Sequence, residues 1–370
     1  MERANIVIIG GGVVGLAIAA KLSELNKDVF IFEKNKRVGQ EVSSHNSGVI
    51  HSGIHYPRDS LKAELCVKGN RKMYDLCGRN RIPYKRLGKL TVARGEREIK
   101  EIEKLKRQGE ENGILDLELL DSDQIKKMEP NVAADRALYS PSSGIVEPDE
   151  LMNYYQAKIG INGAIISTNT VVKSIRKGNS GYEITARNSN DEFVIVANTV
   201  INSAGLYADR VAEMAGLDVD RLGYRLHYCK GDYFRITGTP LVRRLVYPVP
   251  AGAGLGIHLT PDISGSIKMG PNSYYVDKID YRVETREEEF RKDVRGYLPS
   301  IDNAQINEDS SGIRPKIQGP NDSFKDFVIM NEEGNGLPGL INLIGIESPG
   351  LTASPAISDL ISEMYENEVK

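Results

Sequence analysis

Near its start the chain carries an unbroken β-branched run, Ile6 to Ile9, which passes at once into Gly10-Gly11-Gly12. A short apolar run of this kind suits a strand buried on both faces of a parallel sheet. Beyond the glycines the period changes: Val14, Ala17, Ile18, Leu22 and Leu25 recur at helical spacing and predict an amphipathic helix over Val13 to Asn26. Asp28 to Phe32 reads as a second strand, with Glu33 at its end. Later runs predict strands over Asn162 to Val172 and Phe193 to Ile201 with a Lys177 to Gly181 turn between them, and Val200 to Gly205 repeats the strand and tight turn. Ala208 to Gly216 and Ala353 to Glu366 read as helices, and charge-rich Glu96 to Asn112 as a solvated helix face. Lys89 to Ala93, Asp232 to Ile236 and Gly256 to Thr260 read as further strands.

The first of these patterns carries chemistry. Strand, Gly10-x-Gly12-x-x-Gly15, helix, strand and Glu33 stand in the order of a dinucleotide-binding fingerprint. Gly10 permits the tight turn, Gly12 lets a pyrophosphate approach the backbone, and Gly15 lets helix and strand pack closely. Val14 lies at the helix start, where backbone amides face phosphate. Glu33 can accept both hydroxyls of an adenosine ribose and would repel a 2′-phosphate, which disfavours NADP. The competing reading is a glycine turn used for packing alone. After Glu33 and Lys34 comes a polar loop in which Ser43, Ser44, Asn46, Ser47 and Gly48 can bond a pyrophosphate and the edge of an isoalloxazine. A nicotinamide fold would place only a crossover helix there. No second GxGxxG exists, since Gly252, Gly254 and Gly256 merely alternate. One FAD, reduced by a small substrate rather than by NAD(P)H, is the cofactor these features favour.

Length and composition narrow the setting. At 370 residues the chain suits two lobes. A net charge of −3 argues against a dedicated nucleic-acid binder. No apolar run approaches the roughly 18 residues of a spanning helix, and no signal-peptide pattern opens the chain. The expected location is cytoplasmic, with peripheral contact at the inner face of the membrane left open. Three cysteines without a CxxC pair, and five histidines, give no metal-like spacing, so no metal is expected.

From the loop onward the chain resembles a known family. Ser44-His-Asn-Ser-Gly-Val-Ile-His-Ser-Gly-Ile54, continuing through Ser60-Leu-Lys-Ala-Glu-Leu-Cys66, is similar to the L-2-hydroxyglutarate dehydrogenase/oxidase family, a branch of the D-amino-acid-oxidase-like FAD superfamily. The likeness recurs at Pro141 to Val146, Ser203 to Asp209, Lys230 to Tyr233, Tyr247 to Pro250 and Gly256 to Asn272, so it covers nearly the whole chain. Departures are Lys230 where the family has Arg, His55 where it has Tyr, and a shortened insertion after about residue 285. Gly312-Ile-Arg-Pro315 and Gly345 to Pro355 resemble glycine-oxidase-like and glycerol-3-phosphate dehydrogenase members as closely.

The fold expected from pattern and resemblance is α/β with an α+β second lobe. It comprises a Rossmann-like FAD-binding domain of 1–83, 140–216 and 306–370 and a discontinuous mixed-sheet substrate domain of 84–139 and 217–305. The resemblance implies Val172 near the adenine, Ala204 and Gly205 near the pyrophosphate, and Arg314, in a Gly-Ile-Arg-Pro turn, facing substrate at the flavin.

Oxidation of a 2-hydroxy acid needs hydride loss from C2 and proton loss from the hydroxyl, and histidine is the natural base. If 49–56 is extended, His51 and His55 share a face. His51, which matches the family motif, and His258 are the catalytic candidates, with structural histidines as the alternative. Arg314 offers a bidentate fork to a carboxylate. Lys230 and Tyr233, three apart on a strand, and His55 are further substrate candidates. Amides of Gly350, Leu351 and Thr352 at a helix start would stabilise negative charge on reduced flavin. The reading is FAD-dependent oxidation of a small anionic 2-hydroxy acid. Glycerol-3-phosphate dehydrogenase, an amino- or imino-acid oxidase and a flavin-binding subunit of an electron-transfer complex stand beside it. Oxygen, a quinone or a partner protein could accept the electrons, and a homo-oligomer stays open.

Overall fold

The computed structural model describes residues 2–25, 28–238, 240–249 and 256–369. Gly252 and Gly254, the Pro250 end of one family-like run and the last residue of the expected first helix lie outside them. The chain divides into two compact units, one of Met1–Ser44, Pro148–Tyr228 and Arg314–Lys370, the other of His45–Glu147 and Cys229–Ile313.

In the first unit the strand Glu2–Ile9 is central, its Ile6 to Ile9 run buried as the unbroken apolar pattern requires. It pairs in parallel with Glu192–Asn202 on one side and Val29–Phe32 on the other, and Ile165–Ser167 follows Val29–Phe32. The 192–202 strand is long enough to serve two neighbours on its other edge. Its first residues pair antiparallel with Gly181–Arg187, which leads on to Val171–Gly178, while Val200 to Asn202 pair in parallel with Leu340–Ile344. Val328–Asn331 lies antiparallel beside Leu340–Ile344. Helix Val13–Leu25 packs against helices Pro148–Ile161 and Gly350–Val369. This is the expected Rossmann-like α/β arrangement.

One expected strand is divided. Asn162 to Val172 contains a turn at Gly163 (φ 83°), a short strand, then Asn169 in the left-handed region (φ 50°) before the next strand begins. The two pieces pair with different neighbours, Val29–Phe32 and Gly181–Arg187, so no single strand could serve both.

The second unit is built on a nine-stranded mixed sheet. Its order is Tyr274–Val276, His227–Thr237, Ile267–Met269, Leu259–Pro261, Leu245–Pro248, Lys89–Ala93, Arg136–Ser140 and Glu118–Asp121, with Gln305–Lys316 also paired to His227–Thr237. Leu90, Val92, Phe234, Leu259 and Phe290 form its main core. A three-stranded sheet of Val49–Ile50, Gly144–Val146 and Tyr84–Lys85 joins residues after 45 to residues before 147. These pairings explain why the unit takes in 45–83, which the sequence reading assigned to the cofactor domain. Its other limits, 147, 228 and 313, also differ from the expected 140, 216 and 306. Cys66, Cys77 and Cys229 are free and buried. Among the described residues no helix is long and apolar enough to cross a membrane.

Candidate active site

In the first unit the fingerprint glycines each meet a distinct demand. Gly10 has φ 109°, and a Cβ there would lie 2.5 Å from the Ser203 carbonyl oxygen; a Cβ on Gly15 would lie 2.1 Å from the Gly10 carbonyl oxygen. At Gly12 a Cβ would approach only the Ser43 hydroxyl, at 3.1 Å, so this stretch of backbone stays open to a ligand. Ser43 Oγ accepts the Val13 N–H at 2.9 Å. The helix that begins there, with Val14 in its first turn, has no acidic residue to offset its positive end.

Glu33 is buried, and its two carboxylate oxygens accept the Gly11 and Asn35 N–H groups, each at 2.8 Å. A carboxylate oxygen can accept twice, so each retains capacity for a ribose hydroxyl. Lys34 bonds Glu41 and sits 4.5 Å from the centre of the Tyr207 ring, and Ser44 donates to the Glu41 carbonyl. Val172 is buried in the apolar core with Phe32 and Val200. Gly205 has φ 53°, with open space where a Cβ would stand, and the Ala204 N–H donates to Asn202 Oδ1 at 3.3 Å. Gly350, Leu351 and Thr352 form the first turn of the last helix, which also carries no acid there. An open glycine, two unopposed helix starts and a buried carboxylate fit a flavin adenine dinucleotide.

Arg314 is in a strand, not in a turn as expected. Ile313, Pro315 and Ile317 are buried while Arg314 and Lys316 are half-buried, so the alternation of a strand runs through the proline. Lys316 pairs with Glu347 at 2.9 Å.

The later loop residues belong to the second unit. Asn46 Oδ1 accepts the Gly48 N–H at 2.8 Å, its carbonyl accepts Lys268 Nζ at 3.0 Å, and Gly48 has φ 64°. Ser47 Oγ and the buried Tyr233 hydroxyl are 3.3 Å apart. Lys230, also buried, lies 3.6 Å from Glu284. Lys230 and Tyr233 thus have separate neighbours, as their spacing on a strand requires.

The histidine segment is set by a turn and not by the expected extended strand. Only Val49–Ile50 is extended; the chain then turns, with Gly53 at φ 104°. Side chains from two helices, and from Asn112 that ends the second, hold this turn. Asn70 Nδ2 donates to the His51 carbonyl at 2.9 Å, Gln108 Nε2 to that of Ile54 at 2.8 Å, and Asn112 Nδ2 to those of Gly53 and Tyr56 at 3.1 and 2.9 Å. The turn brings His55 Nε2 to 3.2 Å from Lys89 Nζ. Burial, with the nearby Lys89 charge, holds His51 down to about 3 and His55 well below its ordinary range. His258, just before strand Leu259–Pro261, lies flat on Tyr247 at 3.6 Å and 9° between planes. Lys89 Nζ is 5.1 Å from that tyrosine ring, and burial pulls the ammonium down to about 8.

Sequence reading passed over Lys89 and Tyr247. The available signals were a lysine inside an otherwise uncharged strand-like run and the family-like run that Tyr247 opens.

The FAD dependent oxidoreductase family (DAO) matches residues 5–364. The chain is 38% identical over 404 aligned residues to L-2-hydroxyglutarate dehydrogenase, mitochondrial, of Arabidopsis thaliana, covering 98% of this chain and 84% of that one. It is 32% identical over 374 residues to Glycerol 3-phosphate dehydrogenase of Caloramator mitchellensis, covering 99% and 74%. Among solved structures, dithionite-reduced L-alpha-glycerophosphate oxidase from Mycoplasma pneumoniae with FAD bound superposes with a TM-score of 0.86 at 28% identity, covering 99% of this chain and 95% of that one.

Proposed function

The chain belongs to the FAD dependent oxidoreductase family, and from that premise we propose that it oxidises a small 2-hydroxy acid, L-2-hydroxyglutarate or a close relative, to the 2-oxo acid. FAD is its cofactor, and when bound it would supply the two-electron oxidant for the C2 centre. The chain itself must take the hydroxyl proton and hold the anion. What supports the reading is the 38% identity to the Arabidopsis L-2-hydroxyglutarate dehydrogenase over 98% of this chain, and His51, a half-buried imidazole held neutral at neutral pH by its surroundings and the nearby Lys89 charge, is assigned that proton. His258, held against Tyr247, is the second candidate for the proton. Arg314 is assigned the C1 carboxylate, for which its planar fork is suited.

Glycerol 3-phosphate is the second reading, favoured by the names of the Caloramator relative and of the Mycoplasma structure. It needs the same base and a cation for phosphate. Amino- or imino-acid oxidation has only likeness of fold behind it. The acceptor in this reading is oxygen, a quinone or a partner protein, and the location is cytoplasmic.

The test is anaerobic mixing of the FAD-loaded protein with L-2-hydroxyglutarate, glycerol 3-phosphate or glycine while flavin absorbance is followed. Fastest bleaching by L-2-hydroxyglutarate is expected. Bleaching by glycerol 3-phosphate alone would transfer the assignment to the second reading.

A further inference from the structure

Asn202 and Asn342 stand opposite each other in the parallel strands Glu192–Asn202 and Leu340–Ile344, and both are buried. Their neighbours along those strands, Val200, Ile201, Ile341 and Leu343, are buried and apolar. Amides in such a layer cost free energy unless their polar atoms are answered. Here they are answered in series. Asn202 Oδ1 accepts the Ala204 N–H at 3.3 Å, and Asn202 Nδ2 donates to the Ala208 carbonyl at 2.7 Å and to Asn342 Oδ1 at 2.8 Å. Asn342 Nδ2 donates in turn to the buried Glu332 carboxylate at 2.8 Å, whose other oxygen accepts Asn335 Nδ2 at 2.6 Å. Burial, and Glu332 beside it, push the Tyr224 hydroxyl above its ordinary range.

The series runs in one direction. A backbone N–H at one end can only donate, and a carboxylate surrounded by amide and phenol donors accepts at the other. Reversing either asparagine sets an NH2 group against another donor, so both amides are oriented from the ends. What they hold is the connection from Ser203 to the helix Ala208–Met214, since Ala204 N–H and the Ala208 carbonyl both belong to it. That connection lies against the glycine fingerprint. The Ser203 N–H donates to the Ile9 carbonyl at 2.9 Å, its hydroxyl donates to the Gly10 carbonyl at 3.2 Å, and its own carbonyl oxygen occupies the space a Gly10 Cβ would need. Gly205, two residues on, has open space beside it.

We infer that Glu332, acting through Asn342 and Asn202, is a positioning residue for the cofactor: it holds the 203–208 connection in the conformation that lies against the fingerprint, and so sets the affinity for FAD at its pyrophosphate. This rests on FAD lying at the fingerprint. Glu332, Asn342 and Asn202 are closed off from solvent, so their effect reaches the cofactor through the backbone and not by contact. Apolar side chains at 202 and 342 would stabilise the sheet as well. They could not orient the Ala204 N–H and the Ala208 carbonyl, which is what the polar series adds.

The test uses the FAD-loaded full chain and the variants Glu332→Met, Asn342→Leu and Glu332→Gln, with Glu129→Gln as a control. Glu129 is a buried carboxylate of the second unit that accepts the Arg243 and Arg244 N–H groups. FAD dissociation is measured without urea, by dilution, from the rise of flavin fluorescence, and unfolding midpoints are measured in urea. Ser203-Ala204 is the one Ser-Ala pair in the sequence, so joint labelling of serine carbonyl carbon and alanine nitrogen isolates the Ala204 amide resonance. Glu332→Met and Asn342→Leu each break the series and should raise Kd for FAD about tenfold and move that resonance. Glu332→Gln should stay within about twofold of wild type, because its amide oxygen still accepts Asn342 Nδ2 while the exposed Asn335 turns over to meet its Nε2. Glu129→Gln should lower the midpoint alone. A lower midpoint with unchanged Kd and Ala204 resonance in Glu332→Met would overturn the assignment, as would an equal loss of FAD from Glu129→Gln. Should Glu332→Met not fold, Asn342→Leu decides by the same measures. Glu33→Ala separates the two failures. FAD affinity that ignores Glu33 removes the fingerprint reading, whereas affinity that depends on Glu33 but not on Glu332 or Asn342 removes only the positioning role.

Discussion

His51 and Lys89 show how strongly burial redefines single residues. As free side chains one would titrate near neutrality and the other far above it; in the protein the imidazole falls to about 3 and the ammonium to about 8. The pH dependence of the reaction follows from those directions. His51 is neutral throughout the working range, so kcat/KM should show no acid limb near its ordinary value. Initial rates across pH 5 to about 9 at several substrate concentrations check this. An acid limb near 6.5 that follows the enzyme and not the substrate would contradict the neutral His51.

At the scale of elements, the first strand, the glycine turn, the helix and the second strand behave as one piece because Glu33 ties them together. Its spacing after the glycines makes it legible as a ribose ligand, but nothing in the spacing shows that the same carboxylate accepts the Gly11 and Asn35 N–H groups. Glu33→Ala therefore leaves two backbone donors unanswered at a buried site, at about 1 to 3 kcal/mol each. The apoprotein should lose stability in urea, and the holoprotein should in addition retain FAD less well. Unchanged apoprotein stability would show that these amides find other acceptors. The histidine turn makes a similar point. The sequence suggested that His51 and His55 converge, on the assumption of an extended strand. In the structure the segment is a turn instead, held by Asn70, Gln108 and Asn112, whose roles depend on parts of the chain far from it in sequence.

For the whole molecule, two units with separate cores divide the work, and only the first carries the dinucleotide fingerprint. One FAD per chain is expected. A ligand that binds only the folded state stabilises it, by about 2.7 kcal/mol at a hundredfold excess over Kd. The chain contains no tryptophan, so circular dichroism is the suitable probe of urea unfolding. The midpoint should move upward with added FAD and not with NAD. Coincident curves for the apoprotein with and without FAD would reject the fingerprint as its site.

What the sequence determined by itself was whatever depends on local spacing. Period-two and helical patterns, the glycine fingerprint and the polar loop after Glu33 specify the α/β class and the flavin, because each is complete within a few tens of residues. Arg314 was visible as a residue, although its strand setting was not. Only the tertiary structure decided that Lys89 stands buried beside His55, that His258 lies on Tyr247, and that the loop after His45 joins the second unit. Burial is a property of a surrounding volume. That volume is assembled from strands and helices distant in sequence, so no local pattern records it.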